Sequence, residues 1–198
     1  MNVIKDTKDP FRKAAGRQSN TNKPKFDELP SLIYISNLRK EMLKYLSSKK
    51  SISYEDQMPI IYFLVISELV IRPLPLLSIK VDDYTFMKSE QATISTNREK
   101  TAYKYKSHIR VNEKYYRFID NLIEKYENKY GIKPTYVFAS ANNLIHKNMN
   151  YYISNVLKET FNVKKTITPT TLREAQGTLS PNRPFGDGKA KLHCTSIF

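Results

Sequence analysis

Two arginines, far apart in the chain, are of the type that holds a phosphate group. Arg72 ends the apolar run MPIIYFLVISELVI, and Arg173 lies in the segment TPTTLREAQ. Transfer of a phosphodiester to a hydroxyl builds negative charge on the nonbridging oxygens. Two guanidiniums can hold that charge through forked, bidentate hydrogen bonds that a lysine cannot reproduce. The residue types therefore suggest a phosphate clamp of Arg72 and Arg173, although either residue alone could be an ordinary surface charge.

The overall charge indicates the same kind of partner. The 198 residues include 33 Lys and Arg against 19 Asp and Glu, which gives a net charge of +14 and an isoelectric point of about 9.7. Such a balance is typical of proteins that neutralise phosphates. Nucleic acid is the leading partner, and a soluble protein that merely repels itself is the alternative.

The surroundings of these residues follow a family pattern. In ELVIRPLPLLSIKVDDY, an arginine at the end of an apolar helix is followed by Ile79 and Asp83, and TPTTLR ends in Arg173. This order resembles the catalytic domain of the tyrosine recombinases, the phage and viral integrase family, which has an Arg, a Leu and an Asp in the first motif and a His-x-x-Arg box in the second. The resemblance covers residues from about 30 to 178.

The resemblance also implies a lysine and a reaction. The family lysine comes from a strand turn, and REKTAYKYKSHIRV places Lys100 there, with Lys104 as the alternative. In the family such a lysine donates a proton to the leaving 5′ oxygen. The implied reaction is DNA breakage and rejoining by transesterification, without a metal or nucleotide cofactor.

Three departures from the family pattern bear on activity. Thr170 stands where the box has its histidine, so an acid or base is reduced to a hydroxyl, and Pro75 replaces a glutamate that supports the first arginine. No tyrosine follows Arg173, the last being Tyr152. A covalent phosphotyrosine step within this chain is therefore not expected. We expect a truncated or frameshifted end, or a tyrosine supplied by a neighbouring protomer in a homo-oligomer on DNA.

Helices are predicted wherever apolar residues recur at helical spacing. LPSLIYISNLRKEMLKYLSSKK predicts an amphipathic helix, and SYEDQMPIIYFLVISELVI predicts a buried helix with Ser53 as its cap. EKYYRFIDNLIEKYENKYG predicts a helix stopped by Gly131, and HKNMNYYISNVLKETFNV predicts another. TPTTLREAQGTL predicts a last helix with Thr168 as N-cap and Pro169 at its first position.

Short β-branched and aromatic runs predict two or three antiparallel strands, near 84–87, 91–96 and 107–111, and TYVFAS predicts a short extended segment. The expected fold class is mainly α with a small antiparallel β-sheet (α+β). Residues 1–28 carry seven Lys or Arg and are expected to form a disordered arm. Residues 29–178 are expected to form the incomplete integrase-like catalytic domain, and residues 179–198 an irregular tail.

The segment between the last two predicted strands is a candidate surface for the DNA backbone. Together with the strand that follows, the run from Arg98 to Arg110 carries five cations, among them Lys104 and Lys106. Tyrosines interleaved with lysines, as in YKYK and EKYENKY, could stack on bases or could line the edge of the core.

Composition disfavours other classes. Cys194 is the single cysteine and the three histidines are widely separated, so no disulfide framework or zinc site is predicted. Glu68, Asp82 and Asp83 are too commonplace a set to indicate a metal-dependent nuclease. The longest apolar segment is interrupted by charges and prolines, so no membrane span is predicted, and an intracellular location is expected, with cytoplasm and host nucleus left open.

Three hypotheses follow. The first is a DNA-binding protein of the tyrosine recombinase family, viral or from a mobile element, with an incomplete catalytic domain. The second is a noncatalytic module that organises DNA through a basic face. The third is a small helical interaction protein without a nucleic-acid role.

Overall fold

The described part of the chain is mainly helical. The computed structural model describes residues 29–48, 51–69, 71–96, 107–165 and 167–179. Over these residues the elements are α1 (Leu32–Ser48), α2 (Tyr54–Leu69), α3 (Pro73–Leu77), α4 (Val81–Ser89), β1 (Ile94–Thr96), β2 (Ser107–Ile109), a 3-10 turn (Glu113–Tyr115), α5 (Tyr116–Tyr130), α6 (Met149–Glu159) and α7 (Pro169–Leu179).

Helix α2 is the centre of the molecule. Every residue from Gln57 to Ser67 is buried, and α1, α5, α6 and α7 all pack against this helix. Burying a Leu, Ile or Phe side chain stabilises by about 1.5–3 kcal/mol, so a helix surrounded by four others gains from apolar residues on every side. The predicted cap is confirmed, because the Asp56 N–H donates to Ser53 Oγ at 3.1 Å.

Helix α1 is amphipathic, as predicted. Its buried positions are Ile35, Leu38, Met42 and Leu46, which recur every three or four residues and so form one stripe. Leu32, at the start of the helix, is exposed. The stripe packs on α2, and the charged residues lie on the remaining face.

The predicted strand over 84–87 is wrong, because these residues belong to helix α4. The buried positions of α4 are Val81, Tyr84 and Met87, whereas Thr85 and Phe86 are exposed. A spacing of three is helical, and it outweighs the β propensity of the aromatic and β-branched residues. Asp82 and Asp83 fall in the first helical turn, where carboxylates are favourable.

Two short segments pair beyond α4. Strands β1 and β2 are antiparallel, with Ile94 opposite Ile109, and Ile109 is buried. A second, isolated bridge joins Lys80 to Tyr136. There the Val81 N–H donates to the Thr135 carbonyl at 3.1 Å, so the predicted TYVFAS segment is tied to the start of α4.

The last helices end and begin as the sequence indicates. Gly131 follows α5 in the left-handed region, at φ +69°, and its N–H donates to the Glu127 carbonyl at 2.8 Å. Helix α7 begins at Pro169, and Thr168 precedes it as predicted. Helix α7 packs against α1 and α2, so the chain returns to the centre of the fold.

Candidate nucleic-acid interface

Arg72 lies at a fixed point of the backbone. It is the N-cap of α3, with an extended conformation of φ −71° and ψ 153°, and Pro73 occupies the first helical position. The segment that follows is held on both sides: Pro75 and Ile79 are buried, and the Ile79 carbonyl accepts from the Val137 N–H at 3.0 Å. The Arg72 side chain is half-buried. The site is thus anchored by local backbone restraints.

Arg173 lies in the second turn of α7, and the start of this helix is braced by two threonines. The Thr171 N–H donates to Thr168 Oγ1 at 3.2 Å, and the Thr168 N–H donates to Thr171 Oγ1 at 2.8 Å. This reciprocal pair is a capping box in which Thr171 takes the place of the usual Glu or Gln. Thr170 plays no part in it and is exposed, whereas Arg173 is half-buried. Thr170 and Arg173 therefore lie near the positive end of the helix dipole.

Helix α2 is a neighbour of both arginines, through the chain for Arg72 and through packing for Arg173. Arg72 follows the last residue of α2, Leu69, by three positions, and α7 packs against α2. Helix α2 has 16 residues, which makes it about 24 Å long. A shared neighbour of that length does not by itself bring two guanidiniums together, so the clamp stays a prediction.

Of the other four cations predicted to contact DNA, only Arg110 is among the described residues. Lys100, Lys104 and Lys106 lie outside the described residues. Arg110 follows β2, is exposed, and lies 3.6 Å from the Glu113 carboxylate. An exposed pair of this kind contributes little to stability, so Arg110 can exchange partners at small cost.

The positive charge is unevenly distributed. The described residues carry 17 Lys and Arg against 13 Asp and Glu, which accounts for +4 of the net +14. The other segments, which include 1–28 and 97–106, carry 16 against 6 and account for +10. A nucleic acid attracted by charge would therefore meet most of that charge on segments outside the described residues.

Tyrosines of the segment EKYENKY belong to the core rather than to a stacking surface. Tyr126 is buried and its hydroxyl donates to the Ser140 carbonyl at 3.1 Å. Tyr54 makes edge contacts with the rings of both Tyr126 and Tyr130. These contacts favour the alternative in which the two tyrosines line the edge of the core, and base stacking stays a prediction. The tyrosines of YKYK lie outside the described residues.

A polar cluster at the end of α2 escaped prediction. Glu68 accepts hydrogen bonds from Arg39, from Tyr115 Oη at 2.6 Å and from Asn112 Nδ2 at 3.0 Å, and its carboxylate lies 2.9 Å from Lys114 Nζ. Burial alone would raise the pKa of Glu68, but the hydrogen bonds from Lys114 and Tyr115 and the charge of Arg39 hold that pKa below the ordinary 4.5. We name Glu68 and these four partners the Glu68 cluster.

Two of the three carboxylates weighed for a metal, Glu68 and Asp82, have other partners. Glu68 is engaged as above, and Asp82 Oδ1 accepts from Lys133 Nζ at 3.1 Å. Among the described residues, no three His, Cys, Asp or Glu side chains are grouped to hold a metal ion. The described helices also include none that is long and apolar enough to cross a membrane.

Comparison of the chain with protein-family models, with curated proteins and with solved structures finds no match. Function is therefore inferred from the residues of the chain and their geometry.

Proposed function

We propose that this chain binds DNA as a relative of the tyrosine recombinases, with DNA breakage and rejoining as the ancestral reaction. The proposal includes the integrase-like fold, with the small antiparallel sheet of β1 and β2. In it, Arg72 and Arg173 grip one phosphate, Thr170 stands at the degenerate histidine position, and Lys100 lies in the turn beyond β1. The proposed partner is DNA. If the reaction takes its tyrosine from another copy of the chain, the protein also assembles on DNA as a homo-oligomer.

The observation that carries the proposal is the setting of the two arginines. Each residue is half-buried, and each is placed by a restrained backbone: Arg72 before Pro73, Arg173 after the Thr168 cap. A guanidinium that is held in place loses less entropy on binding than one on a free surface, and a bidentate grip on phosphate needs that order.

The pairing of β1 and β2 supports the placement of the basic turn. Because Ile94 lies opposite Ile109, the segment 97–106 connects two neighbouring antiparallel strands. Four Lys or Arg fall in this connection, against one Glu. Such a connection suits contact with the phosphate backbone, which positions a protein on DNA without reading sequence.

The second function we consider is a noncatalytic DNA-organising module. It is favoured by one observation: Thr170 stands where the family's box has its histidine, so a hydroxyl replaces the general acid or base. A nicked suicide substrate separates the two functions, because a covalent adduct requires a nucleophile and an architectural module forms none. Both functions require DNA binding, and a helical interaction protein does not.

The salt dependence of DNA binding tests the proposal. If Lys100, Lys104 and Lys106 each neutralise a phosphate, replacing all three by Gln makes the slope of log K against log salt shallower by about 0.9 per lysine. The matched control neutralises three cations that have carboxylate partners in the helical body: Lys88, Lys129 and Lys133. Equal slopes in the two triple variants would mean that only net charge matters, and a flat wild-type response would contradict binding to nucleic acid.

A double-mutant cycle tests the clamp itself. Arg72→Ala and Arg173→Ala each weaken binding to a duplex, and if both grip one phosphate the double variant loses less than the sum. Additive losses would place the two guanidiniums on separate phosphates and contradict the clamp. Lys158→Ala, an exposed cation of α6 outside the proposed site, serves as the control for the loss of one positive charge.

A further inference from the structure

A cavity of about 280 Å³ lies where the end of α1, the start of α2 and the middle of α5 meet. Its polar lining consists of Gln57, Arg117, Asn121 and Lys125, and none of the residues that line it is acidic. Arg117, Asn121 and Lys125 are spaced by four along α5, so they form one row on the same face. The cavity is therefore a basic hollow rather than a balanced one.

Lys125 meets only neutral acceptors in this hollow. Its Nζ donates to the Ile52 carbonyl and to Gln57 Oε1, each at 2.6 Å. Gln57 Nε2 donates to Asn121 Oδ1 at 3.1 Å, which fixes the amide with its oxygen toward the lysine. Burial lowers the pKa of Lys125, as expected for an ammonium removed from water without an opposite charge.

The next turn of α5 shows what a neutralised lysine looks like in the same helix. Lys129 forms an ion pair with Glu55, and this contact raises the pKa of Lys129. Lys125 has no such partner among the residues that line the cavity. The two lysines have the same side chain and differ in whether a carboxylate is within reach.

Donors remain for a ligand. Two of the three N–H groups of Lys125 are used in the contacts above. Arg117 lies 4.5 Å from the centre of the Phe118 ring and donates one hydrogen bond, to Ser47 Oγ at 3.0 Å. A guanidinium has five N–H donors in a fork that matches an oxyanion.

We propose that this hollow binds a phosphate oxyanion, with Arg117 and Lys125 as its cationic donors and Asn121 as a neutral one. The remaining wall is apolar, formed by Leu46, Ile52 and Phe118, so there is room beside the phosphate for the carbon skeleton of an ester. The group can therefore be free phosphate or part of a nucleic-acid backbone. The site shares no residue with Arg72, Thr170 and Arg173, so it stands whether or not the proposed function does.

Titration of the full chain with inorganic phosphate, at ionic strength held constant with chloride, tests the site by calorimetry. We expect saturable binding that weakens about tenfold or more in Arg117→Gln, since a hydrogen bond to a charged group is worth at least that factor. Gln57→Glu provides the carboxylate that Lys125 lacks and abolishes binding. Lys129→Gln, one turn away, leaves it unchanged.

Folding of each variant is checked by circular dichroism and thermal melting. Arg117 is exposed and donates to an exposed serine, so its replacement leaves the core intact. Gln57 is buried, so its new carboxylate depends on the Lys125 ammonium as its partner, and Arg117→Gln alone decides the test if Gln57→Glu does not fold. Absence of saturable binding to the wild type, or an equal loss in Lys129→Gln, would overturn the proposal.

A competition arm identifies the source of the phosphate. If a short DNA duplex displaces phosphate, and Arg117→Gln weakens both ligands by the same factor, the hollow holds a backbone phosphate. If DNA binds without displacing phosphate, or does not bind at all, the ligand is a small phosphate compound. In the last case the proposed DNA function fails while the phosphate site remains.

Discussion

Lysine and arginine side chains lie near both ends of helix α2, and they differ in whether a carboxylate is within reach. At the C-terminal end, the Glu68 carboxylate lies among Arg39 and Lys114 and also accepts hydrogen bonds from neutral groups. At the N-terminal end, Lys125 meets the neutral side chain of Gln57. Arg39 and Lys114 thus have a carboxylate within reach, as Lys129 has Glu55 at the N-terminal end, whereas Lys125 has none among the residues that line its cavity.

The difference separates cations that hold the fold together from cations that can hold a ligand. Arg39 and Lys114 share one carboxylate, so their attraction for an external anion is partly cancelled at short range. Lys125 has no such cancellation from the residues that line its cavity. A net positive charge is thus a poor guide to a binding site until the partners of each cation are known.

Glu68→Ala gives the largest expected effect. It leaves Arg39 and Lys114 facing each other without their common anion and leaves the hydroxyl of Tyr115 without an acceptor. We expect the free energy of unfolding to fall by about 2 kcal/mol, within the range for a hydrogen-bonded charged group that loses its partner. Urea unfolding measures it, with Glu41→Ala, an exposed acid of α1, as control. A loss no larger than that of the control would contradict a structural role for the cluster.

The pH dependence of stability sharpens the same point. Because the folded pKa of Glu68 is lowered, its contribution is complete above the unfolded pKa and disappears as pH falls through the folded pKa. Glu68→Gln mimics the protonated acid at every pH. We therefore expect wild type and Glu68→Gln to differ by a constant amount above about pH 5 and to converge in acid. If the two curves of unfolding free energy against pH stay parallel down to acid pH, the charge of Glu68 is not what stabilises the fold.

The helices could be predicted because their signals are local. The stripe of α1, the Ser53 cap of α2 and the Gly131 stop of α5 each depend on residues a few positions apart. The segment of helix α4 was predicted as a strand for two reasons. Its nine residues make only about two and a half turns, too few to show the helical period clearly, and YTFM has a high β propensity. Its burial at every third position depends on packing against other elements, which the segment itself does not contain.

The two polar ends of α2 could not be predicted, because their partners are distant in sequence. Arg39 and Glu68 are separated by 29 positions, and Gln57 and Lys125 by 68. A signal was nonetheless present: Gln57 and Glu68 are polar residues close to the two ends of the apolar run MPIIYFLVI, and a polar group that becomes buried needs a partner. That rule predicts that partners exist, but it does not identify them. The arginines at 72 and 173 were identified by residue type and by resemblance, and their convergence stays a prediction.

Lys125→Met measures how much the uncompensated end contributes to stability. The change removes two hydrogen bonds from a charged donor but no ion pair, and the methionine can cover the apolar wall. We expect a loss of about 1 kcal/mol, half that of Glu68→Ala. Lys158→Met, an exposed lysine of α6, is the control for removing a surface cation. A loss as large as that of Glu68→Ala would make Lys125 a structural residue of the same kind.

Lys88→Met gives the smallest expected effect and sets the baseline for the comparison. Lys88 Nζ lies 2.6 Å from the Asp120 carboxylate, but the two side chains are 43 % and 44 % exposed. Asp120 also accepts from Tyr84 Oη at 2.9 Å, so it keeps a partner when the lysine is replaced. We expect a change below about 0.5 kcal/mol in urea unfolding, and one that shrinks as salt is added. A large, salt-independent change would mean that exposed ion pairs do stabilise the fold. The contrast between Glu68 and Lys125 would then depend mainly on whether a carboxylate is present, and less on how exposed the side chains are.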